Sequence, residues 1–278
     1  MTQRAHEPAS APKPITSLQN EKVKAIRALE MRKVRKETGL FVAEGASILI
    51  TAREHGFAPE TLVFQAGTAP SGVARGLVDW ALGAGAECLE VNEAVLGKLA
   101  SKDNPQNMLA VFRQRWRAAR DAAKAVSAEL WLVLEEVRDS GNLGTIIRTV
   151  DAVGASGVIL IGNCCDPYAR ECVRATMGSV FAVPLVKMTR EAFLGWRAAW
   201  KGEIIGTHLD GQEDFRKVQP GGPVLLLMGS EGPGLSDELA RTCTHLIKIP
   251  MAGQLDSLNL AVAAGLVLYQ LRGPNLAL

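Results

Sequence analysis

The sequence predicts an α/β protein in two parts: a parallel-sheet domain over residues 129–278, preceded by a smaller α/β domain over residues 18–112. Three observations predict this. Short apolar runs alternate with stretches of helical period along most of the chain, which is the pattern of an α/β fold. In the second half several of these runs are near-continuous in aliphatic residues, as strands buried on both faces of a parallel sheet must be. Three glycine-rich loops each follow such a strand and precede a helix, the place where open parallel sheets bind ligands.

Residues 1–17 read as a disordered tail. They carry Pro8, Pro12 and Pro14 and lack the continuous apolar core of a secretory signal. NEKVKAIRALEMRKVRKETG follows as a single predicted helix, with Val23, Ile26, Leu29 and Val34 near a 3.6-residue period and Gly39 at its end. LFVAEG, TLVFQAG, AECLEV and MLAVFR are the predicted strands of the small domain. The arginine-rich stretch 113–128 reads as a linker. Predicted strands of the large domain are LWLVLEE (130–136), GVILIG (157–162), FAVPLV (181–186), EIIGTH (203–208), PVLLLMG (223–229) and HLIKIP (245–250), and SLNLAVAAGLVLYQL closes the chain as a helix. Trp196 and Trp200, four apart on a predicted helix, read as packing residues.

With 47% hydrophobic and 22% charged residues, the composition is that of an ordinary globular protein. No apolar run reaches the length of a membrane span, so no membrane partner is expected. The five cysteines form no C-x-x-C pair and the four histidines are scattered, so no metal is expected and a reducing cytoplasm fits best. The net charge of +2 decides little, but its distribution is informative. Lys22, Lys24, Arg27, Arg32, Lys33, Arg35 and Lys36 form one basic cluster, and Arg113, Arg115, Arg117, Arg120 and Lys124 another. Such clusters suit a nucleic-acid partner, and solvated helix faces are the competing reading.

The first glycine-rich loop is RDSGNLGTIIRTVDAVG. Asp139, Ser140 and Asn142 are good N-cap types, and Arg148 and Thr149 are expected on the first turns of the helix that follows. A capped helix with one solvent-facing arginine is the plainer alternative. The second loop, LLLMGSEGPGLSDEL, fails both common phosphate fingerprints: a P-loop needs lysine where Leu235 stands, and a dinucleotide loop needs glycine where Asp237 stands. Glu231 is either a functional carboxylate or a group stabilising the next helix. In the third, IPMAGQLDSLNLAVAAG, Asp256 or Ser257 is expected to cap the last helix, with Asn259 in its first turn.

Together these loops resemble the three signature motifs of the SpoU (TrmH-like) branch of the SPOUT RNA methyltransferases. N-x-G-x-x-x-R-T stands here as Asn142 to Thr149, G-[ST]-E-x-x-G-[LI] as Gly229 to Leu235, and I-P-M followed by S-L-N as Ile249 to Met251 and Ser257 to Asn259. The amino-terminal part is similar to a ribosomal-protein-related RNA-binding domain that precedes the catalytic domain in some members. The resemblance implies a SPOUT domain with a carboxyl-terminal trefoil knot, against the usual rule that chains do not knot, and a homodimer. It implies S-adenosylmethionine (AdoMet) held by Gly229, Ile249 and Leu258, with Leu227, Ser230 and Met251 close by. The implied activity is methylation of a ribose 2′-hydroxyl in RNA, ribosomal RNA being favoured over transfer RNA.

On this resemblance the catalytic set is Asn142, Arg148, Glu231, Ser257 and Asn259. Asn142 is expected to orient the ribose or Arg148, and Glu231 to position Arg148. Lys33, Arg35, Lys36 and Arg174 are the expected RNA contacts. A guanidinium is a poor general base: deprotonating one near pH 7 costs roughly 7 kcal/mol, against the ~3–5 kcal/mol that general-base catalysis returns. Arg148 is therefore expected to act as a cation, anchoring a phosphate or stabilising a developing alkoxide. The rival readings are a catalytically silent RNA-binding protein of the same fold and a nucleotide-dependent oxidoreductase, which the failed glycine fingerprints disfavour.

Overall fold

The computed structural model describes residues 11–69, 71–100, 106–119, 129–254, 257–273 and 276. The chain divides into two compact units, Met1–Gln114 with Tyr168–Arg170, and Arg115–Pro167 with Glu171–Leu278. Most of the expected tail (residues 1–10), most of the linker (120–128) and the proposed cap Asp256 lie outside the described residues.

In the first unit, β1 (Lys13–Ile15), β2 (Leu40–Glu44), β3 (Pro59–Gln65), β4 (Glu87–Val91) and β5 (Met108–Arg113) form one sheet in the order β1-β4-β3-β5-β2. β1 pairs in parallel with β4, so ordered structure begins inside the stretch expected to be a tail. The helices are α1 (Glu21–Ala28), α2 (Arg32–Thr38), α3 (Ala46–Glu54), α4 (Gly72–Gly83) and α5 (Glu93–Leu99). Val23, Ile26 and Leu29 pack with Val63, Leu89 and Leu109 in the core.

The long helix expected over 20–39 is broken between α1 and α2, and Arg35 explains the break. Its Nη1 reaches back to donate to the carbonyls of Leu29 and Glu30, both at 2.8 Å. These carbonyls at the end of α1 would otherwise lack partners. Arg35 is only 5% exposed, so a residue expected on an RNA-facing surface instead holds a turn inside the fold. Lys33 and Lys36 on the same helix are exposed. Arg35→Met is expected to cost about 1–3 kcal/mol in urea unfolding, against less than about 0.5 kcal/mol for Lys36→Met.

The second unit contains β6 (Leu130–Glu135), β7 (Gly157–Ile161), β8 (Leu185–Met188), β9 (Glu203–Thr207), β10 (Glu213–Asp214), β11 (Val224–Met228) and β12 (His245–Lys248). They form a sheet in the order β10-β12-β9-β11-β6-β7-β8. Every pairing is parallel, so all the carboxyl ends lie along one edge. The helices are α6 (Ser140–Ala152), α7 (Arg170–Ala175), α8 (Arg190–Arg197), α9 (Asp237–Ala240) and α10 (Leu260–Arg272). β8 begins later than FAVPLV suggests. Ser179–Phe181 is a 3-10 turn, and Pro184, with no N–H, offers only its carbonyl, which accepts from Val158 at 2.9 Å.

β6 and β11 are neighbours, yet β6 leads towards β7 on one side and β11 towards β12 on the other. That reversal is the switch point where open α/β sheets place their ligands. The core behind it is apolar, with Val133, Ile159, Leu225 and Leu227 packed against Phe193 and Leu239. Trp196 and Trp200 pack on the same cluster, their rings 5.9 Å apart.

Candidate active site

The strand order sets the site. Read across β12, β9, β11 and β6, the loops at the carboxyl edge are the third glycine-rich loop, Thr207–Asp210, the second glycine-rich loop and the first. A cleft of about 640 Å³ opens among the first three of these. Its lining includes Gly229, Ser230, Glu231, Ile249, Met251, Ser257, Leu258 and Asn259. The volume is in the usual range for small-molecule sites.

Leu227 does not line the cleft. It is fully buried in the sheet core, and Met228, one residue on, lines the cleft instead. Side chains alternate between faces along a strand, so a shift of one residue exchanges core for cleft. Thr207, His208, Leu209 and Asp210 also line it and were missed as site residues. Their signal was available: they follow the strand EIIGTH at the carboxyl edge, without the glycine pattern that marked the other loops.

The second loop folds back on itself. The Gly234 N–H donates to the Ser230 carbonyl at 3.1 Å. A Cβ at Gly229 would land on the main chain of Gly234 and Leu235, so only glycine allows this closure. Gly144 has a different reason. A Cβ there would collide with Ala175 and the Cys172 carbonyl, so it permits the close approach of α7 to α6.

Three motif side chains form one hydrogen-bonded chain. Asp139 caps α6, accepting from the Asn142 N–H at 2.6 Å. Asn142 Nδ2 donates to Glu231 Oε1 at 2.9 Å, and Asn259 Nδ2 donates to Asn142 Oδ1 at 3.0 Å. Asn259 Oδ1 in turn accepts from the Ala261 and Val262 N–H groups at 2.9 and 3.3 Å. Asn259 is thus the N-cap of α10 itself, not a first-turn residue behind Ser257. The cap fixes which end of the Asn259 amide faces Asn142, and that fixes the Asn142 amide towards Glu231.

Glu231 therefore positions Asn142, not Arg148 as expected from sequence. Its other oxygen accepts from the Arg138 N–H at 3.4 Å. Arg148 lies further along α6 than expected, in the third turn. It is six residues past Asn142, about 9 Å along the axis and roughly 120° around it. It is exposed and does not line the cleft. Among the described residues it has no hydrogen-bond or ion-pair partner. Ser257 and Leu258 are exposed at the cleft, and Arg174 is exposed at the end of α7.

Cys165 lies beside the first loop, its Sγ donating to the Asp139 carbonyl at 3.5 Å. Burial pushes this thiol up to about 12, so it is no thiolate nucleophile at neutral pH. Among the described residues no group of three or more His, Cys, Asp or Glu side chains could hold a metal ion. No described helix is long and apolar enough to cross a membrane.

The SpoU rRNA methylase family model matches residues 129–269, over half of the chain. The chain belongs to the SpoU rRNA methylase family. A second model, the MRM3-like substrate binding domain, matches residues 20–110. A Synechocystis protein named as a tRNA/rRNA methyltransferase is 33% identical, over 93% of this chain and 93% of its own. The Bacillus subtilis 23S rRNA (guanosine(2553)-2′-O)-methyltransferase RlmP is 29% identical over 94% and 100%. Among solved structures, an AdoMet-bound rRNA methyltransferase from Sinorhizobium meliloti is similar, with TM-score 0.89, 44% identity and coverage of 95% and 99%. The SpoU methyltransferase AviRb from Streptomyces viridochromogenes with AdoMet follows at 0.82, 29%, 92% and 98%. As a SpoU family member, the chain places all three family motifs in loops along one edge of a single sheet, after β6, β11 and β12.

Proposed function

We propose that this protein transfers a methyl group from AdoMet to a ribose 2′-hydroxyl of ribosomal RNA. The observation that carries the reading is the Glu231–Asn142–Asn259 chain, which joins the three motif loops beside the cleft. RlmP is named for 23S rRNA, as is the Streptomyces viridochromogenes uridine(2479)-2′-O-methyltransferase, 31% identical over 86% of this chain. Both names specify a ribose oxygen as the target.

The cleft fits AdoMet. Apolar Ile249, Met251, Leu258 and Ala263 offer walls for an adenine, and the close return of the loop at Gly229 brings main-chain groups to the lining. When bound, AdoMet supplies an electrophilic methyl on a sulfonium. The chain's own part is to bind it, to hold the ribose oxygen in line and to balance the charge that develops there. Asn142, held from both sides, is suited to orient the ribose hydroxyl, and Arg148 to act as a cation towards a phosphate or alkoxide.

Arg148 stands outside the cleft of its own chain, which supports a homodimer with sites built from two chains. Val262, Leu266 and Tyr269 recur at i, i+4 and i+7 on α10 and are 52%, 42% and 51% exposed. An apolar helical stripe so exposed is what a second subunit would cover. The trefoil knot belongs to the same reading. After β12 the chain returns to lay α10 along α6. Lys33, Lys36 and Arg174, all exposed, are the proposed RNA contacts. Five free cysteines suit a cytoplasmic setting.

The test is transfer of labelled methyl from AdoMet to ribosomal and transfer RNA fractions lacking the modification. Label in an alkali-resistant dinucleotide of ribosomal RNA, absent with Asn142→Ala, is expected. Label confined to transfer RNA would overturn the substrate class. Cofactor binding without transfer to any RNA would favour a silent RNA-binding protein. Sedimentation of the same sample is expected to show the mass of two chains.

A further inference from the structure

Glu135, the last residue of β6, is a carboxylate only 3% exposed. None of the chemistry above uses it. Its Oε2 accepts from the Ser236 N–H and its Oε1 from the Ser236 hydroxyl, both at 2.8 Å. The same Oε1 meets Arg190 Nη2 at 2.7 Å. Glu136 and Glu238 stand further from that guanidinium, at 3.8 and 3.9 Å.

These partners come from separate segments of the catalytic unit. Arg190 opens α8 just after β8, and Ser236 ends the second loop and is the N-cap of α9. One buried carboxylate thus ties the carboxyl ends of β6 and β8 to the exit of the loop that follows β11. Burying a charge is costly unless it is paired and fully hydrogen-bonded, and an apolar residue at the end of β6 would avoid that cost.

What the contact constrains is the loop from Gly229 to Leu235. Its entry is fixed by β11, which is hydrogen-bonded to strands on both sides. Its middle is closed where Gly234 returns to Ser230. Its exit is held at Ser236 by Glu135. The loop carries a wall of the cleft, and it carries Glu231 to Asn142.

We propose that Glu135, braced by Arg190, is a positioning residue for methyl transfer: by gripping Ser236 it keeps the cofactor loop in the shape that binds AdoMet and presents Glu231. The inference rests on reading the cleft as the AdoMet site. Glu135 does not line that cleft and acts only through the loop.

The test is calorimetric titration of the full-length protein with S-adenosylhomocysteine. Variants are Ser236→Ala, Glu135→Gln, their combination, Arg190→Ala and Arg190→Lys. Each of the first two is expected to weaken binding about tenfold, as loss of a charge-assisted hydrogen bond does. The losses in the double variant are expected to fall well short of multiplying, because both substitutions weaken the same contact between Glu135 and Ser236. Arg190→Lys, which keeps a cation beside Glu135, should recover most of the affinity that Arg190→Ala loses. Turnover should fall alongside affinity, since Glu231 rides on the same loop. A merely structural carboxylate would lower the melting midpoint and leave the affinity of the folded protein unchanged, and that result would overturn the proposal. So would losses that multiply in the double variant. If Glu135→Gln fails to fold, Ser236→Ala and the Arg190 pair decide the matter. A wild-type protein that binds no S-adenosylhomocysteine would overturn the cofactor reading, a result distinct from either.

Discussion

Asn142→Asp is expected to lower turnover about 10²–10³-fold, roughly 3–4 kcal/mol of lost stabilisation, while cofactor affinity falls far less. The wild-type amide donates to Glu231 at 2.9 Å and accepts from Asn259 at 3.0 Å. A carboxylate at this position keeps the acceptor and loses the donor. It also sets a second negative charge at hydrogen-bond distance from Glu231, which opens the relay between the second and third loops. Asn142 does not line the cleft, so the defect should appear in kcat more than in the KM for AdoMet. The variant should also gain an acid-side recovery. Two adjacent carboxyl groups share a proton into a higher pH range than either alone, and a protonated carboxyl can donate to its neighbour again. The activity of the variant should therefore rise as pH falls through that range. Turnover within threefold of wild type at pH 7.5 would show that the relay does not matter.

Gly229→Ala is expected to reduce AdoMet affinity at least about 100-fold, equivalent to ~2.7 kcal/mol. The methyl group would fall on main-chain atoms of Gly234 and Leu235, which cannot turn aside as a side chain can. The loop must open, breaking the Gly234–Ser230 hydrogen bond and moving Ser230 and Glu231 in the cleft wall. Gly221→Ala is the matched control, because an added Cβ there meets nothing within 4 Å. Titration with S-adenosylhomocysteine, together with melting curves, separates a lost site from a lost fold. Binding by Gly229→Ala within threefold of wild type would mean that the loop is not the cofactor wall.

A feature of this protein is legible in its sequence to the extent that it is local. Strands such as LWLVLEE and PVLLLMG were legible because a strand buried on both faces must be aliphatic at every position, whatever its register. The helix over 20–39 was legible in its apolar period but not in its break. The break depends on Arg35 reaching carbonyls five and six residues back, and apolar spacing carries no trace of that contact. Asn259 looked like a first-turn residue because Ser257 is an equally good cap type. Only the path of the chain into α10 chose between them.

The site divides along the same line. By itself, the sequence determined the motif residues, their order and their chemistry, since amide, carboxylate, guanidinium and glycine at fixed spacings are properties of the chain. Tertiary structure alone decided who touches whom. Strand parity put Met228, not Leu227, in the cleft lining, and a fourth loop joined it at Thr207–Asp210 because β9 lies between β12 and β11. Helix rotation turned Arg148 away from Glu231 and left Asn142 as its partner. The buried carboxylate of Glu135 looked like an ordinary strand end until Ser236, 101 residues on, came to rest against it. The physical reason is common to all of these: contacts between segments distant in the chain are set by sheet order and helix phase, which no local pattern encodes.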